Sequence, residues 1–260
     1  MNFDVAAVQP MVVSFLLVLF RTGGLVMTAP MLGGGLASAR ARLMMALALA
    51  LVLAPITPIP ANTTLGVSLM LDAIGETAVG IAMGLVLQLA FEALLLAGEA
   101  ISSGAGLSFA QMVDPLRGTS TAAVGSLFTA LAMLAFLSQN GHLAVVKLLA
   151  DSFAQVPPGA SLPAIPLAQL VVAQGSHMFM GAMQVAIPGV IALLAVNLAM
   201  GVASRAAPQL NVFSVGLPVS VMAGLLVLLL GVEAFINGWL GVIGGSTGAI
   251  GDFWGGPGHG

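Results

Sequence analysis

The scarcity of charged side chains is the feature that most restricts what this chain can fold into. Asp, Glu, Lys and Arg make up 6% of its 260 residues, whereas 59% of the residues are hydrophobic. A water-soluble domain carries about 25% charged residues, so this chain cannot cover a globule with a hydrated surface. Its apolar faces must contact lipid, other subunits or both, and each charge that it keeps is costly to bury.

The apolar segments predict an all-α, membrane-associated protein with about six long helices. Each run is near or above the roughly 20 residues that cross a hydrocarbon layer, and the six runs cover 5–29, 43–60, 70–98, 121–138, 168–203 and 213–240. Pro188 is expected to break or kink the fifth. A shorter run, 143–156, carries Lys147 and Asp151 and predicts an interfacial helix with an ion pair on one face. The Gly-rich stretch 244–260 is expected to form a loose tail.

The positions of the arginines predict an orientation in the membrane. Arg40 and Arg42 lie between the first two runs, Arg117 between the third and fourth, and Arg205 between the last two. If six spans alternate, these loops share one side, which the positive-inside rule assigns to the cytoplasm. Both termini are then expected on the periplasmic side. Lys147 is the one basic residue that departs from this pattern, and Arg21 stands inside the first run.

The third apolar run carries polar side chains on one helical face. At 100° per residue, Gly84, Gln88, Glu92 and Glu99 fall within about 80° of each other. A face with two carboxylates and an amide must meet protein or water rather than lipid. Two interpretations stay open: a helix–helix seam with paired or protonated carboxylates, and the wall of an aqueous path. Gly80 and Gly84 form a small-xxx-small step, which lets another helix approach closely.

No residue pattern indicates catalysis, a metal or a cofactor. The chain has no cysteine, and neither His142 nor His177 has a partner at metal-binding spacing. His142 follows Asn140-Gly141, a turn signature, and is expected at a helix end. The net charge of −3 includes no basic cluster, which argues against nucleic acid as a partner.

Small, flexible and bulky apolar residues follow one another after the third run. They are Gly104, Gly106, Leu107, Phe109 and Met112. The segment ends at Asp114-Pro115, which predicts a turn. A segment of this composition can fill a cavity without a rigid backbone, and its glycines can serve as hinges.

Four motifs resemble the family of flagellar export-gate R subunits, FliR, whose injectisome counterparts are called T subunits. They are RTGGLVMTAPMLGG (21–34), FEALLLAGEAISSGAGLSFAQMVDP (91–115), FLSQNGH (136–142) and NLAMGVASRAAPQLNVF (197–213). The stretch SFAQVPPG (152–159) also matches, and the resemblance covers about residues 5–240.

The resemblance implies a core structural subunit of the type III protein export gate, without enzymatic activity or cofactor. Such a subunit forms a closed pore with FliP and FliQ subunits, through which unfolded substrates pass, in the bacterial inner membrane at the flagellar basal body. It implies one helical domain, 1–243, with a FliP-like part at about 5–160 and a FliQ-like hairpin at about 168–240, before the tail at 244–260.

The resemblance also assigns residues to a pore plug and to a partner contact. The plug corresponds to about 103–118 and includes Gly104, Gly106, Leu107, Phe109, Met112, Asp114 and Pro115. The family often carries Gln where this chain has Gly104, which implies a smaller and more flexible plug. The tip of the C-terminal hairpin is expected to face the cytoplasm and an FlhB-type partner through Arg205, Pro208, Gln209, Asn211 and Phe213.

An alternative function is a polytopic small-solute transporter or channel that acts alone. A self-sufficient transporter is expected to keep its polar residues near mid-helix in paired halves. The polar residues of this chain do not follow that arrangement.

Overall fold

The described residues form seven α-helices and no β-strand. The computed structural model describes residues 5–30, 38–58, 66–107, 123–160, 164–206 and 215–255. The helices are α1 (Val5–Thr28), α2 (Ala39–Leu53), α3 (Val67–Gly104), α4 (Ala123–Ser138), α5 (Gly141–Gln155), α6 (Ala164–Ala206) and α7 (Leu217–Gly255). A 3-10 turn, Ala54–Ile56, extends α2. The predicted all-α architecture is confirmed.

Within the described ranges, five helices are long and apolar enough to cross a membrane, namely α1, α2, α3, α6 and α7. The count reaches six if α4 and α5 together form one broken span. Asn140 separates these two helices with a φ of 56°, in the left-handed region that asparagine tolerates better than most residues. The Asn-Gly turn signature is confirmed, and His142 lies in the first turn of α5.

Three helices are longer than a bilayer is thick. Helices α3, α6 and α7 contain 38, 43 and 39 residues, which corresponds to about 57, 65 and 59 Å. A hydrocarbon core of about 30 Å accommodates only about 40 Å of helix even at a 40° tilt. Pro188 does not end α6, so the expected break is wrong there, whereas a kink stays a prediction. Parts of these apolar helices therefore extend beyond the hydrocarbon layer.

The helices pack into two compact units, which are described separately. The first comprises Met1–Leu89, Asn140–Gly175 and Gly244–Gly260, and the second comprises Ala90–Gln139 and Ser176–Ile243. Helices α3, α6 and α7 contribute residues to both units. The division into a FliP-like part and a FliQ-like hairpin stays a prediction.

A close crossing of α1 and α3 lies within the first unit. A Cβ on Gly24 would stand 2.6 Å from the Thr77 carbonyl oxygen, and one on Gly80 would stand 2.9 Å from the Leu25 nitrogen. Gly84 lies against α1 in the same way, one turn further along α3. The small-xxx-small step predicted at Gly80 and Gly84 is confirmed, since it lets the two backbones touch.

Helix α7 continues through most of the segment that was expected to be a loose tail. It ends at Gly255, and Ile250 and Trp254 are buried in the first unit. The expectation is therefore wrong for residues 244–255, because packing outweighs the low helix propensity of glycine. Residues 256–260 lie outside the described part of the chain.

The helix predicted at 143–156 is α5, but its predicted ion pair is wrong. Lys147 and Asp151 are both exposed, and they form no ion pair with each other in the described structure. Water competes with exposed pairs of this kind, so they contribute little. The buried face of α5 instead carries Val145, Leu149, Ser152 and Phe153.

An aromatic cluster joins three helices in the second unit. The ring of Trp239 (α7) lies 5.0 Å from that of Phe91 (α3), which lies 5.5 Å from that of Phe136 (α4). Trp239 is fully buried, and its indole N–H donates to the Ala90 carbonyl at 2.8 Å. Because a buried indole N–H needs an acceptor, this bond fixes α7 on α3 in one register.

Within the same unit, α6 and α7 pack against each other through glycines. A Cβ on Gly181 would stand 2.6 Å from the Val242 side chain, and one on Gly189 would stand 3.4 Å from that of Val227. From the first contact to the second, the residue number rises on α6 (181 to 189) and falls on α7 (242 to 227). The two segments therefore form the antiparallel hairpin expected for the C-terminal part.

Replacing Gly80 by Ala should lower the stability of the first unit by about 1–3 kcal/mol, because the new methyl group meets the α1 backbone, which cannot turn away. Gly23→Ala is the matched control, since a Cβ there meets nothing within 4 Å. Thermal unfolding in detergent should give a lower Tm for Gly80→Ala than for Gly23→Ala. Equal Tm values would show that the crossing is not tightly packed.

Candidate functional site at the end of α3

The residues predicted to begin the pore plug lie at the carboxyl end of α3. Gly104 is the last residue of the helix, and Gly106 and Leu107 follow in a turn. The other predicted plug residues lie outside the described part of the chain: Phe109, Met112, Asp114 and Pro115. The described portion, residues 101–107, is called the plug base below.

A Schellman motif closes α3 at the plug base. The Leu107 N–H donates to the Ser102 carbonyl, and the Gly106 N–H donates to the Ser103 carbonyl, both at 3.1 Å. Gly106 has a φ of 76°, which glycine adopts without a steric penalty. The motif explains why glycine stands at 106, and it satisfies two carbonyls that a helix end leaves without partners.

Gly104 is not required by the backbone in the same way. It lies within α3 and has no positive φ. A Cβ there would stand 3.4 Å from Leu193 Cδ1, an ordinary contact distance. Of the two described hinge candidates, only Gly106 has a conformation that favours glycine, and the departure from the family pattern at Gly104 does not arise from backbone strain.

Two further helices hold the plug base through hydrogen bonds. Asn197 of α6 donates its Nδ2–H to the Gly104 carbonyl at 3.0 Å. Ser220 of α7 donates its hydroxyl to Asn197 Oδ1 at 2.8 Å. One asparagine thus links α3, α6 and α7.

Apolar packing supports the same contact. Ala105 is fully buried, and a Cβ on Gly224 of α7 would collide with its methyl group. Leu193 of α6 is also buried and lies against Gly104 and Gly224. Sequence reasoning missed these α6 and α7 partners, because only the fold brings them to α3.

The predicted polar stripe on α3 is partly exposed. Gln88, Glu92 and Glu99 are each intermediate in burial, and none of them forms an ion pair with another described residue. Glu99 lies beside α4, where a Cβ on Gly125 would stand 3.4 Å from its Cγ. A helix–helix seam with paired or protonated carboxylates and the wall of an aqueous path both stay predictions.

The predicted hairpin tip is described only at its α6 side. Arg205 is exposed in the last turn of α6, where a cation complements the negative end of the helix dipole. The other predicted tip residues lie outside the described ranges: Pro208, Gln209, Asn211 and Phe213.

A buried ion pair in the first unit was not predicted. Arg21 of α1 and Glu76 of α3 are 0% and 4% exposed, and Arg21 Nε lies 2.6 Å from Glu76 Oε2. The guanidinium also donates to the Ser152 carbonyl at 2.9 Å, to the Ser152 hydroxyl at 3.1 Å and to the Val156 carbonyl at 3.0 Å. Its Cζ lies 4.3 Å from the centre of the Phe153 ring. Arg21 therefore holds both α3 and the end of α5.

The turn after α5 completes this cluster. Ala160 N–H donates to the Pro157 carbonyl at 3.1 Å, and Gly159 has a φ of 77°. In this four-residue turn, 157–160, Pro158 is the second residue and Gly159 the third, which suits a type II turn. The Gly159 N–H donates to Glu76 Oε1 at 3.0 Å. The motifs RTGG and SFAQVPPG, which carry part of the family resemblance, thus meet around one ion pair.

Two features of catalytic sites can be checked against the described structure. The expectation that the sequence lacks a catalytic pattern overlooks residues 244–248, which read GGSTG and match the GxSxG pattern of hydrolases. Ser246, however, lies inside α7 and accepts a hydrogen bond from Gln174, whereas a nucleophile elbow joins a strand to a helix. The described residues also contain no cluster of three His, Asp or Glu that could hold a metal ion.

Comparison with known proteins decides the family. The model of bacterial export proteins, family 1, matches residues 12–245. This chain belongs to the FliR family of bacterial export proteins. It is 35% identical over 209 residues to flagellar biosynthetic protein FliR of Pectobacterium carotovorum, covering 80% of each chain.

Two other relatives give the same result. FliR of Escherichia coli K12 is 35% identical over 208 residues, which cover 80% of this chain and 79% of the relative. FliR of Aquifex aeolicus is 33% identical over 230 residues, which cover 87% and 88%. The resemblance found in the motifs is therefore confirmed, and the protein is a membrane protein of the flagellar export family.

Replacing Arg21 by Met should destabilise the first unit by about 3–5 kcal/mol, because Glu76 would become a buried charge without a cation. Adding Glu76→Gln should recover part of this loss, since the amide is neutral and still offers an acceptor to the Gly159 N–H. Thermal unfolding in detergent measures both effects. Lys147→Met, which removes an exposed cation from α5, should leave the Tm unchanged. A Tm for Arg21→Met equal to that of the control would contradict a structural role for the ion pair.

Proposed function

We propose that this chain is a core structural subunit of the type III flagellar protein export gate. With FliP- and FliQ-type subunits it forms a closed pore through which unfolded substrates pass, and the segment near 103–118 plugs that pore. The pore lies in the bacterial inner membrane at the flagellar basal body, with both termini of this chain on the periplasmic side. Family membership and the uncovered apolar surface of the long helices support the proposal.

The uncovered surface of α6 and α7 is the observation that carries the assembly part of the proposal. In the most apolar 18-residue stretch of each helix, only 22% of the α6 residues and 11% of the α7 residues are buried. Exposed side chains on these helices include Phe179, Leu194, Leu198, Met222, Leu229 and Leu230. Both helices are about twice as long as the hydrocarbon layer is thick. Lipid cannot cover all of this surface, whereas neighbouring helical subunits can.

Polar residues on an exposed face of α6 favour protein over lipid as its neighbour. Ser176 and Gln184 line an open groove together with Phe179, Met180 and Met183. An amide facing hydrocarbon without a partner is costly. A neighbouring helix offers both apolar contacts and hydrogen-bond partners for such a face.

The plug part of the proposal follows from two opposed requirements. An unfolded chain needs a wide path, whereas a resting membrane needs that path closed to ions and water. Bulky apolar residues such as Leu107, Phe109 and Met112 close a lumen by packing and by excluding water. The pair Asp114-Pro115 predicts a turn at the end of the segment, and the plug base joins the segment to α3.

The hairpin tip supplies the proposed contact with an FlhB-type partner. Arg205 is exposed and lies on the side that the positive-inside rule assigns to the cytoplasm. A free cation there suits an acidic or polar surface of a partner protein. The remaining tip residues, Pro208, Gln209, Asn211 and Phe213, belong to the same proposed contact.

Co-purification tests the assembly. The tagged full-length chain, expressed with its native neighbours and extracted in mild detergent, should retain FliP- and FliQ-type subunits in fixed ratio. Alone in liposomes it should transport no small solute. A solitary particle that moves a solute would support the alternative of a self-sufficient transporter and overturn the proposal.

Deleting residues 108–112 tests the plug. The deletion spares the plug base, so assembly should persist, whereas cells carrying the complex should become permeable to small ions. Membrane conductance and dye uptake measure the leak. Deleting residues 256–260, a stretch of equal length at the chain end, should leave the membrane tight. An assembled complex that stays impermeable after the 108–112 deletion would contradict the plug role.

A further inference from the structure

The end of α3 has an unequal distribution of hydrogen bonds. The Schellman motif satisfies the carbonyls of Ser102 and Ser103 from within the turn. The next carbonyl, that of Gly104, receives its hydrogen bond from Asn197, on a different helix. Among the described residues, this is the one side-chain hydrogen bond that another helix donates to the plug base.

The direction of the Asn197 side chain is set by Ser220. An asparagine amide has one donating and one accepting end, and it can bind in either of two orientations. The Ser220 hydroxyl donates to Oδ1, so the Nδ2–H end is turned toward the Gly104 carbonyl. Removing the Ser220 hydroxyl would leave the Asn197 amide free to turn over, without changing any residue of the plug base.

The plug base also makes an apolar contact with α6 and α7, which differs from the hydrogen bonds in having no preferred direction. Ala105, Leu193 and Gly224 fit closely, and the hydrophobic attraction between them is non-directional. The two hydrogen bonds, formed at the exposed Asn197, add a directed contact between the plug base and the α6–α7 hairpin.

We propose that Asn197 and Ser220 are positioning residues that hold the plug base in its closed position. This inference rests on the proposed function, because it assigns residues on α6 and α7 to the control of the same plug. Both bonds are between neutral groups, and losing one neutral hydrogen bond shifts an equilibrium about two- to tenfold. The pair thus keeps the base in place at rest and still allows its release.

Asn197→Asp is the sharpest variant. The carboxylate has nearly the shape of the amide and still accepts the Ser220 hydroxyl, but it has no N–H for the Gly104 carbonyl and repels its oxygen. The purified full complex with this variant should conduct ions about two- to tenfold more than the wild type. Exchange of the Gly106 and Leu107 amide hydrogens should also become faster, since a base released from α6 and α7 loses the packing that shields its turn.

Ser220 and a neighbouring serine provide the controls. Ser220→Ala should raise conductance less than Asn197→Asp, and Ser220→Thr, which keeps a hydroxyl, should restore wild-type values. Ser204→Ala removes a hydroxyl from the same helix as Asn197, where it bonds only to the carbonyl of Gly201. It should leave conductance and exchange unchanged.

Each outcome bears on the proposal. Wild-type conductance and exchange in Asn197→Asp would overturn it, and if that variant fails to assemble, Ser220→Ala decides in the same way. If the 108–112 deletion leaks while Asn197→Asp stays tight, the inference fails and the plug role stands. If the deletion is tight as well, the plug role fails and the inference fails with it.

Discussion

A buried arginine is tolerable inside an apolar helix only if its hydrogens find acceptors, and the first unit is arranged around that requirement. Arg21 bonds Glu76 on α3 and the two carbonyls that end α5, while Glu76 also accepts the N–H of Gly159. Charge-assisted bonds of this kind are roughly twice as strong as neutral ones. The glycine crossing of α1 and α3 brings the two charged side chains within reach of each other. Without the cluster, α1 and α3 would lose their ion pair and the end of α5 would lose its hydrogen bonds to Arg21.

The two units differ in how they hold their polar groups. The first contains an ion pair whose oxygens and nitrogens are shared among three elements. At the plug base of the second unit, only neutral groups meet, through Asn197 and Ser220. Under the proposed function, a strongly held scaffold and a plug base held by neutral bonds suit a subunit that stays assembled while its plug moves. One buried ion pair and two neutral hydrogen bonds are enough to produce this contrast, so the chain needs very few charges for it.

The sequence predicts most of the fold, because hydrophobic length alone defines a long apolar helix. The close approach at Gly80 and Gly84 was also predictable, since small residues four apart leave a smooth helix face. The Arg21–Glu76 pair was not, because its partners lie 55 residues apart and no local pattern joins them. Asn197, Ser220 and Gly224 could not be predicted as part of the candidate site either, because they too are distant from the plug base in the sequence. Composition misled at the C-terminus, where the contacts that bury Trp254 outweigh the glycines around it.

The ion pair also imposes an order on synthesis. Arg21 leaves the ribosome long before its partners: Glu76 follows 55 residues later, and the Val156 carbonyl follows 135 residues later. At about 5–20 residues per second, the guanidinium waits roughly 7–27 s for its last acceptor. During that interval the guanidinium lacks some of the acceptors that it has in the folded protein. The contacts of the helix that is made first are therefore completed only after α5 has been made.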